Sequence, residues 1–524
     1  MPDLKQFRDE LDKLCDVGKD AAERCANTTQ LLKAADKLIN ENAALQKLLK
    51  TENWQSRLSG DTRIMEGVEA RPVVDLVQQG GSMLGIGLLG YTYVMERAGV
   101  RFRSMAGTSA GAINTMLLAA LPEEIYRQSS PFRDDNENAV KSEFLAYAVA
   151  NKNFADFLDR KGTLGKLEQW MLKKIHTADK WFPWFCIGLP LALLVASYFF
   201  YNLLDNLIYN TPNGLTEKEV DHYNFLLGTA GACGVSLLLV MLLVALFRRT
   251  MGFNSGDTPY NWMKSILATD FVGIHTTKQL REKRKNESQP VTIGATPKPI
   301  DGQSRLVVIT ANLTHNRIVK FPEQTVDYWD LEHADEVCPA AYVRASMSLP
   351  FIFYAMTPAD RYVFGQSPNC TSADTVRLLA RFVDGGMLSN FPIREFHVPP
   401  PELPAYPTFG VLLGIPKPDP TTEPEKDRSK ALQNFNKLSV LKFILSFIST
   451  FRNFYDTDFL EGHPELKMLA RPVDTREFNS LDFGMPLKTK VELFCKGAQT
   501  AIEQLTSFDW AAYLALRIKI NNKK

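Results

Sequence analysis

The chain has 524 residues, 45% of them hydrophobic, and its 60 basic and 59 acidic residues leave a formal net charge of +1. This composition is typical of a folded protein and argues against both extensive disorder and a basic surface for nucleic acid. Its seven cysteines are scattered and form no C-x-x-C pair, so we predict no disulfide framework, no metal site and no other cofactor.

Residues 1–60 are predicted to form a helical arm. They are charged throughout and contain no apolar segment typical of a secretory signal. A short heptad pattern favours two alternatives equally: a coiled coil with a second copy or a partner helix, and an amphipathic arm packed on the rest of the chain. The pattern consists of Leu31, Ala35, Leu38, Asn42, Leu45 and Leu49.

A glycine-rich segment, Gly80 to Gly90, follows a predicted strand at Val73 to Val77 and leads into a helix. Its second half matches the dinucleotide-binding pattern G-x-G-x-x-G, which also requires an acidic residue at the end of the next strand. That strand ends instead in Ala106-Gly107-Thr108-Ser109. We therefore interpret the glycines as an oxyanion hole, and cofactor binding is the weaker alternative.

The pentapeptide Gly107-Thr108-Ser109-Ala110-Gly111 has the G-x-S-x-G pattern of a nucleophile elbow. It lies between a short predicted strand and a helix of small residues that ends near Pro122. A serine at such a sharp turn needs small neighbours, which Gly107 and Gly111 supply. Ser109 is therefore the candidate nucleophile, and the alternative is a glycine-rich turn that carries a serine by chance.

Asp384 is the candidate general base. It stands at the end of an apolar predicted strand and is followed at once by Gly385 and Gly386, which allow the backbone to turn and the carboxylate to be approached closely. The alternative is an ordinary Asp-Gly turn.

These three segments together resemble the patatin-like phospholipase family. Gly80 to Gly85 is similar to the oxyanion loop of that family, Gly107 to Gly111 to its nucleophile elbow, and Asp384 to Gly386 to its catalytic Asp-Gly-Gly. Val343 to Pro350 is similar to its Ala-Ser-x-x-x-Pro segment. Three catalytic motifs in the right order are far more specific than any one of them.

The resemblance implies a phospholipase A-type hydrolase that cleaves acyl esters of lipids through an acyl-enzyme on a Ser109–Asp384 dyad. It also implies an oxyanion hole formed by Gly80, Gly81 and Ser82. The chain departs from the family at Ser82, where a third glycine is usual, and at Leu84, where a basic residue is usual. We expect Ser82 to preserve the hole with a negative φ.

Two alternatives of the same fold remain: a generic lipase, esterase or thioesterase, and a catalytically silent membrane scaffold. A third enzymatic alternative is a Ser-acid-His triad, because His397 and His463 follow Asp384 in the chain. Neither histidine lies in a glycine-flanked loop, so we predict that neither is catalytic.

Two apolar segments, 181–204 and 224–247, are predicted to cross a membrane. Each is uncharged over the roughly 20 residues that a bilayer requires. Aromatic residues lie near the ends of the first segment, and small residues recur every four positions in the second. The alternative is a buried helical hairpin in a soluble core.

Charges that flank these segments predict the orientation. Lysines precede the first segment, Arg248 and Arg249 follow the second, and the connector is mainly acidic. Because positive flanks stay inside, both termini and the catalytic residues are expected in the cytoplasm, at the inner or cytoplasmic membrane. Membrane phospholipids would then be both substrate and surroundings.

The resemblance implies an α/β fold with a three-layer α/β/α patatin-like sheet, and the other patterns add an inserted two-helix transmembrane hairpin and an N-terminal helical arm. The predicted segments are the arm 1–60, the first part of the catalytic domain 70–178, the hairpin 179–250 and the second part of the catalytic domain 251–515.

Overall fold

The computed structural model describes most of the chain outside the predicted hairpin and a few loops. The described residues are 3–66, 69–133, 135, 137–158, 199, 228, 231, 234, 252–293, 298–300, 304–329, 331–359, 362–364, 380–414 and 455–522.

Helices and strands alternate along these residues, as expected of an α/β protein. The helices are α1 (Leu4–Asp12), α2 (Ala21–Glu41), α3 (Ala43–Leu49), α4 (Trp54–Ser59), α5 (Gly85–Arg97), α6 (Ala110–Ala120), α7 (Lys141–Ala150), α8 (Asp257–Leu267), α9 (Thr277–Asn286), α10 (Ala340–Ser346), α11 (Leu466–Leu469), α12 (Leu487–Ser507) and α13 (Trp510–Asn521). The strands are β1 (Thr62–Glu66), β2 (Glu69–Gln78), β3 (Arg101–Thr108), β4 (Gly252–Asn254), β5 (Pro290–Thr292), β6 (Lys298–Pro299), β7 (Leu306–Asn312), β8 (Arg317–Phe321), β9 (Phe351–Phe353), β10 (Phe382–Asp384), β11 (Thr408–Leu413) and β12 (Ala470–Val473).

One mixed sheet organises the described residues, with the strand order β10-β7-β3-β2-β1-β5-β6. Strands β2, β3 and β7 are parallel neighbours, and β11 lies parallel to both β2 and β12. Strand β8 pairs with β7. This sheet with its helices confirms the predicted α/β class.

The register of the sheet places the ends of β3 and β10, which are far apart in the sequence, beside the same part of β7. Thr108 of β3 pairs with Ile309 of β7, and Asp384 of the antiparallel strand β10 pairs with Thr310. Because Ile309 and Thr310 are adjacent, Ser109 and Asp384 leave the sheet close to the same point of β7.

Helix α5 begins at Gly85, so the second half of the glycine-rich segment is helical. A Cβ at Gly90 would overlap with the carbonyl oxygen of Phe494, and a Cβ at Gly497 would overlap with that of Gly87. These glycines therefore let α5 and α12 pack with their backbones in contact. Helix packing explains this half of the G-x-G-x-x-G pattern, which leaves the dinucleotide alternative without support.

The N-terminal helices pack on the chain itself. Leu31, Ala35 and Leu45 of the heptad pattern are fully buried, and α2 contacts α5, α7 and α12. Asn42 ends α2, and its side chain accepts a hydrogen bond from the N–H of Leu45 to begin α3. The heptad pattern is thus split between two helices and covered by the catalytic domain, whereas a partner for the arm stays a prediction.

The two predicted membrane segments, 181–204 and 224–247, lie outside the described residues except for four isolated positions. No helix formed by the described residues is both long and apolar enough to span a bilayer.

Candidate active site

Ser109 stands at a strained turn between β3 and α6. Its backbone has φ 52° and ψ −118°, and the residue is 6% exposed. A Cβ at Gly111 would overlap with the carbonyl oxygen of Gln78, and a Cβ at Gly107 would overlap with that of Gly111. The two glycines therefore permit the close packing that this turn requires, as predicted.

The backbone of Ser109 is held by Ser346, the last residue of α10. The N–H of Ser109 donates to Oγ of Ser346 at 2.8 Å, and that hydroxyl donates to the carbonyl oxygen of Ile309 at 2.6 Å. Ser346 is the serine of the predicted Ala-Ser-x-x-x-Pro segment. This segment therefore ties the turn that carries Ser109 to the central strand β7.

Asp384 ends β10 and is held by the same segment. Its N–H donates to the carbonyl oxygen of Ser348 at 2.8 Å, and its Oδ1 accepts a hydrogen bond from the N–H of Gly386 at 2.8 Å. The residue is 2% exposed. Gly385 lies too close to the carbonyl oxygen of Ile309 to carry a side chain, so the Asp-Gly-Gly sequence lets the carboxylate pack against β7.

The glycine-rich loop lies directly beside Ser109. A Cβ at Gly80 would lie 3.1 Å from that of Ser109. Asn390 holds this loop twice, because its carbonyl oxygen accepts from the N–H of Gly80 at 3.0 Å and its Nδ2 donates to the oxygen of Gly80 at 3.0 Å. Within the described part of the chain, the N–H groups of Gly81 and Ser82 have no hydrogen-bond acceptor.

Ser82 corrects one expectation. Its φ is +49°, in the left-handed region, where we expected a negative value. The loop turns sharply here into a short 3₁₀ helix, Ser82–Leu84, and a non-glycine residue in this region costs about 1–2 kcal/mol. This backbone conformation explains why a glycine suits the position, yet serine retains the N–H group.

A cavity of about 270 Å³ joins these residues. Ser109 and Asp384 both line it, together with Gly81 and Ser82 of the loop. The remaining wall is mostly apolar. It comes from α5, α6, α7, the 3₁₀ helix Phe154–Phe157, α8 and the segments around β9 and 480–483. Its apolar residues include Ile86, Leu89, Ile113, Leu117, Leu145, Val149, Phe154, Phe157, Trp262, Leu349, Phe353 and Phe483. The site therefore combines a hydroxyl, a carboxylate and backbone donors at an apolar cavity.

Comparison with known proteins identifies the family. A family model described as "Patatin-like phospholipase" matches residues 76–397, more than half of the chain. The chain belongs to the patatin-like phospholipase family. This membership supports a lipid hydrolase function.

A structural similarity extends over more of the chain. The crystal structure of VipD from Legionella pneumophila has 11% sequence identity and a TM-score of 0.33, covering 88% of this chain and 73% of that chain. No curated protein matches in sequence.

In this member of the patatin-like phospholipase family, a buried carboxylate supports the loop after Asp384. Asp456 accepts hydrogen bonds from the Ser389 hydroxyl at 2.8 Å and from the N–H groups of Asn390 at 2.6 Å and Phe391 at 2.7 Å. Burial raises the pKa of Asp456 to about 6, although the three donors favour the charged form. Asp456 thereby fixes the residue that clamps the glycine-rich loop.

The two histidines after Asp384 lie elsewhere. The His397 and His463 rings are 4.6 Å apart and pack with Phe459. Within the described residues, the Ser109 cavity is lined by no histidine. That neither histidine is catalytic stays a prediction.

Sequence reasoning missed several residues of the site. Ser346 belonged to a quoted motif but had no assigned role, Asn390 and Asp456 carried no signal because each acts through tertiary contacts, and Asn114 was passed over. Asn114 could have been flagged as the amide on a helix whose other residues are small or apolar.

Replacement of Ser346 by alanine tests the link between α10 and the turn at Ser109. The variant leaves the buried N–H of Ser109 without its acceptor, which should cost about 1–3 kcal/mol of stability. Because small displacements of a nucleophile are costly, we expect kcat for ester hydrolysis to fall about 10-fold or more. Thermal unfolding and ester hydrolysis kinetics measure the two effects.

Ser59→Ala is the matched control. Its buried hydroxyl also donates to a carbonyl oxygen, that of Thr62 at 2.8 Å, and accepts from the guanidinium of Arg63 at 3.0 Å, away from the cavity. It should lower stability by a similar amount and leave kcat within about twofold. Equal losses of kcat in Ser346→Ala and Ser59→Ala would contradict a role of Ser346 in positioning Ser109.

Proposed function

We propose that this protein is a membrane-embedded phospholipase A-type hydrolase that cleaves lipid acyl esters with a Ser109–Asp384 dyad. The observation that carries the proposal is the convergence of Ser109, Asp384 and the loop N–H groups on one apolar cavity. An acyl chain suits the cavity wall, and the polar groups stand together where a scissile ester would lie.

The chemistry needs only these residues and water. Oγ of Ser109 attacks the ester carbonyl carbon as Asp384 accepts the serine proton, and the resulting tetrahedral intermediate carries an oxyanion. When this intermediate collapses, the C–O bond to the lysolipid breaks and Asp384 returns the proton to the leaving oxygen. Water then attacks the acyl-Ser109 carbonyl carbon as Asp384 accepts a proton from it. When this second tetrahedral intermediate collapses, the C–Oγ bond to Ser109 breaks, the fatty acid leaves and Asp384 returns the proton to Oγ of Ser109.

Backbone donors would stabilise the oxyanion. The N–H groups of Gly81 and Ser82 have no acceptor among the described residues, and α6 begins immediately after Ser109 with the positive end of its dipole. Donors that are already in place need no reorganisation during the reaction. Gly80 shapes the hole by allowing the loop to approach Ser109.

We also propose that the segments 181–204 and 224–247 form a membrane hairpin that adjoins the cavity. Phe157, before the predicted hairpin 179–250, packs on Trp262 after it, with ring centroids 5.4 Å apart, and both line the cavity. A hairpin inserted between these two residues would place the cavity beside lipid, with the catalytic domain and both termini on the cytoplasmic side.

Removal of either proposed catalytic group tests the dyad. Ser109→Ala and Asp384→Asn should each lower fatty acid release from phospholipid vesicles by at least about 10³-fold. A fluorophosphonate probe should label the wild type and not Ser109→Ala. His397→Ala and His463→Ala serve as controls and should retain activity within a few-fold, whereas a loss of about 10⁴-fold in either would indicate a triad.

The same assays separate the alternatives. A generic esterase would take the probe and hydrolyse soluble esters without releasing fatty acid from phospholipids. A catalytically silent scaffold would take no probe, because labelling requires an activated hydroxyl.

Substitutions at Ser82 test the oxyanion hole. Proline removes the N–H and fixes φ near −65°, so Ser82→Pro should lower kcat by about 100-fold or more. Ser82→Gly keeps the donor and relieves the left-handed strain, so it should retain kcat and be up to about 1 kcal/mol more stable. Ser82→Ala controls for the loss of the hydroxyl. If Ser82→Ala lowered kcat as much as Ser82→Pro, the proposed role of the Ser82 N–H group would be refuted.

Alkaline carbonate extraction tests the membrane proposal. The full chain should remain in the membrane pellet, and tags at both termini should be reached by protease only from the cytoplasmic side. A variant with residues 179–250 replaced by a Gly-Ser linker is the control and should be released. Release of the full chain by carbonate would count against a spanning hairpin.

A further inference from the structure

Asn114 is a buried amide without a partner in the apolar cavity. It lies on α6 five residues after Ser109, lines the same cavity and is only 6% exposed. Neither its Oδ1 nor its Nδ2 has a hydrogen-bond partner among the residues that the structure describes.

The surroundings of Asn114 make this amide unusual. Its neighbours on the cavity side of α6 are Ile113 and Leu117, which fill the wall with hydrocarbon. A buried amide that forms no hydrogen bond loses its hydration without compensation. Asn151 shows the ordinary arrangement, because its Nδ2 lies within hydrogen-bond distance of three acceptors and its Oδ1 accepts from Asn27.

The distance between Ser109 and Asn114 along α6 indicates which part of a substrate the amide contacts. Five residues of α-helix correspond to about 7.5 Å along the axis, so the amide lies beyond the scissile ester rather than at it. Because both a donor and an acceptor are unpaired, the complementary group is one that also donates and accepts. A hydroxyl meets this requirement, whereas a hydrocarbon chain does not.

We infer that Asn114 is a specificity-determining residue that hydrogen-bonds a hydroxyl of the substrate at a distance from the scissile ester. The inference rests on the proposed hydrolase function. Such a hydroxyl has two sources, the acyl chain of a hydroxylated fatty acid or the free glycerol hydroxyl of a lysophospholipid. In either case Asn114 would select among substrates without taking part in bond cleavage.

The test compares the full-length wild type with Asn114→Leu on matched substrates. One pair is a nitrophenyl ester of a saturated fatty acid and its analogues that carry a hydroxyl on successive mid-chain carbons. The other pair is a lysophosphatidylcholine and its counterpart with the free hydroxyl methylated. We expect the variant to lose about 10- to 100-fold in kcat/KM on the hydroxylated member of one pair, with the plain member unchanged or improved.

The melting temperature distinguishes substrate selection by Asn114 from a structural role. If the amide supported the fold, its removal would lower the melting temperature. Asn114→Leu should melt at the same temperature as the wild type or higher, because it removes an unpaired buried amide. Asn151→Leu, the matched control, should melt lower because it removes the hydrogen bonds that both ends of this amide make.

The outcomes separate this inference from the proposed function. A loss confined to the hydroxylated ester assigns the acyl chain, and a loss confined to the free-hydroxyl lysolipid assigns the glycerol. Equal effects on both members of both pairs would overturn the inference while leaving the hydrolase intact. Absence of any Ser109-dependent hydrolysis would instead overturn the proposed function itself.

Discussion

The geometry of the site depends on the end of α10, which holds both halves of the candidate dyad. The hydroxyl of Ser346 accepts from the N–H of Ser109, and two residues later the carbonyl oxygen of Ser348 accepts from the N–H of Asp384. Ser109 and Asp384 come from separate strands that flank β7, so neither position defines the other by local structure. The hydrogen bonds to Ser346 and Ser348 therefore fix the backbones of Ser109 and Asp384 relative to each other.

The loops around this arrangement store conformational strain, and the surrounding contacts hold them in place. Ser109 and Ser82 both have positive φ, which costs each non-glycine residue on the order of 1 kcal/mol. Opposing this, Asn390 clamps Gly80 through two hydrogen bonds, and Asp456 fixes Asn390 from behind. Such bracing suits an oxyanion hole, because donors held in place before the reaction need not move as charge develops.

Much of this architecture was predictable because the motifs are short and their roles local. The sharp turn at Ser109 needs small neighbours, and the strand before Asp384 is apolar, so the sequence alone predicted the fold class and pointed to both candidate residues. The predicted sign of φ at Ser82 was wrong, because φ at this residue depends on how the loop enters the 3₁₀ helix Ser82–Leu84. The glycines of α5 were interpreted as part of an oxyanion hole. They are glycines because the backbone of α12, hundreds of residues away in the sequence, packs directly against them. Contacts of this kind leave no local pattern.

The place of the predicted hairpin is a consequence of topology. An insert between two halves of a sheet is tolerated where the chain leaves and re-enters at neighbouring points. Here Phe157 and Trp262 pack against each other beside the cavity, and β4, the first described strand after the predicted hairpin, pairs with β9, whose Phe353 also lines the cavity. The described residues on either side of the predicted hairpin therefore lie near the cavity wall, which is why we propose the insert there. If the insert spans a bilayer, a lipid would reach Ser109 from the membrane without crossing the catalytic domain.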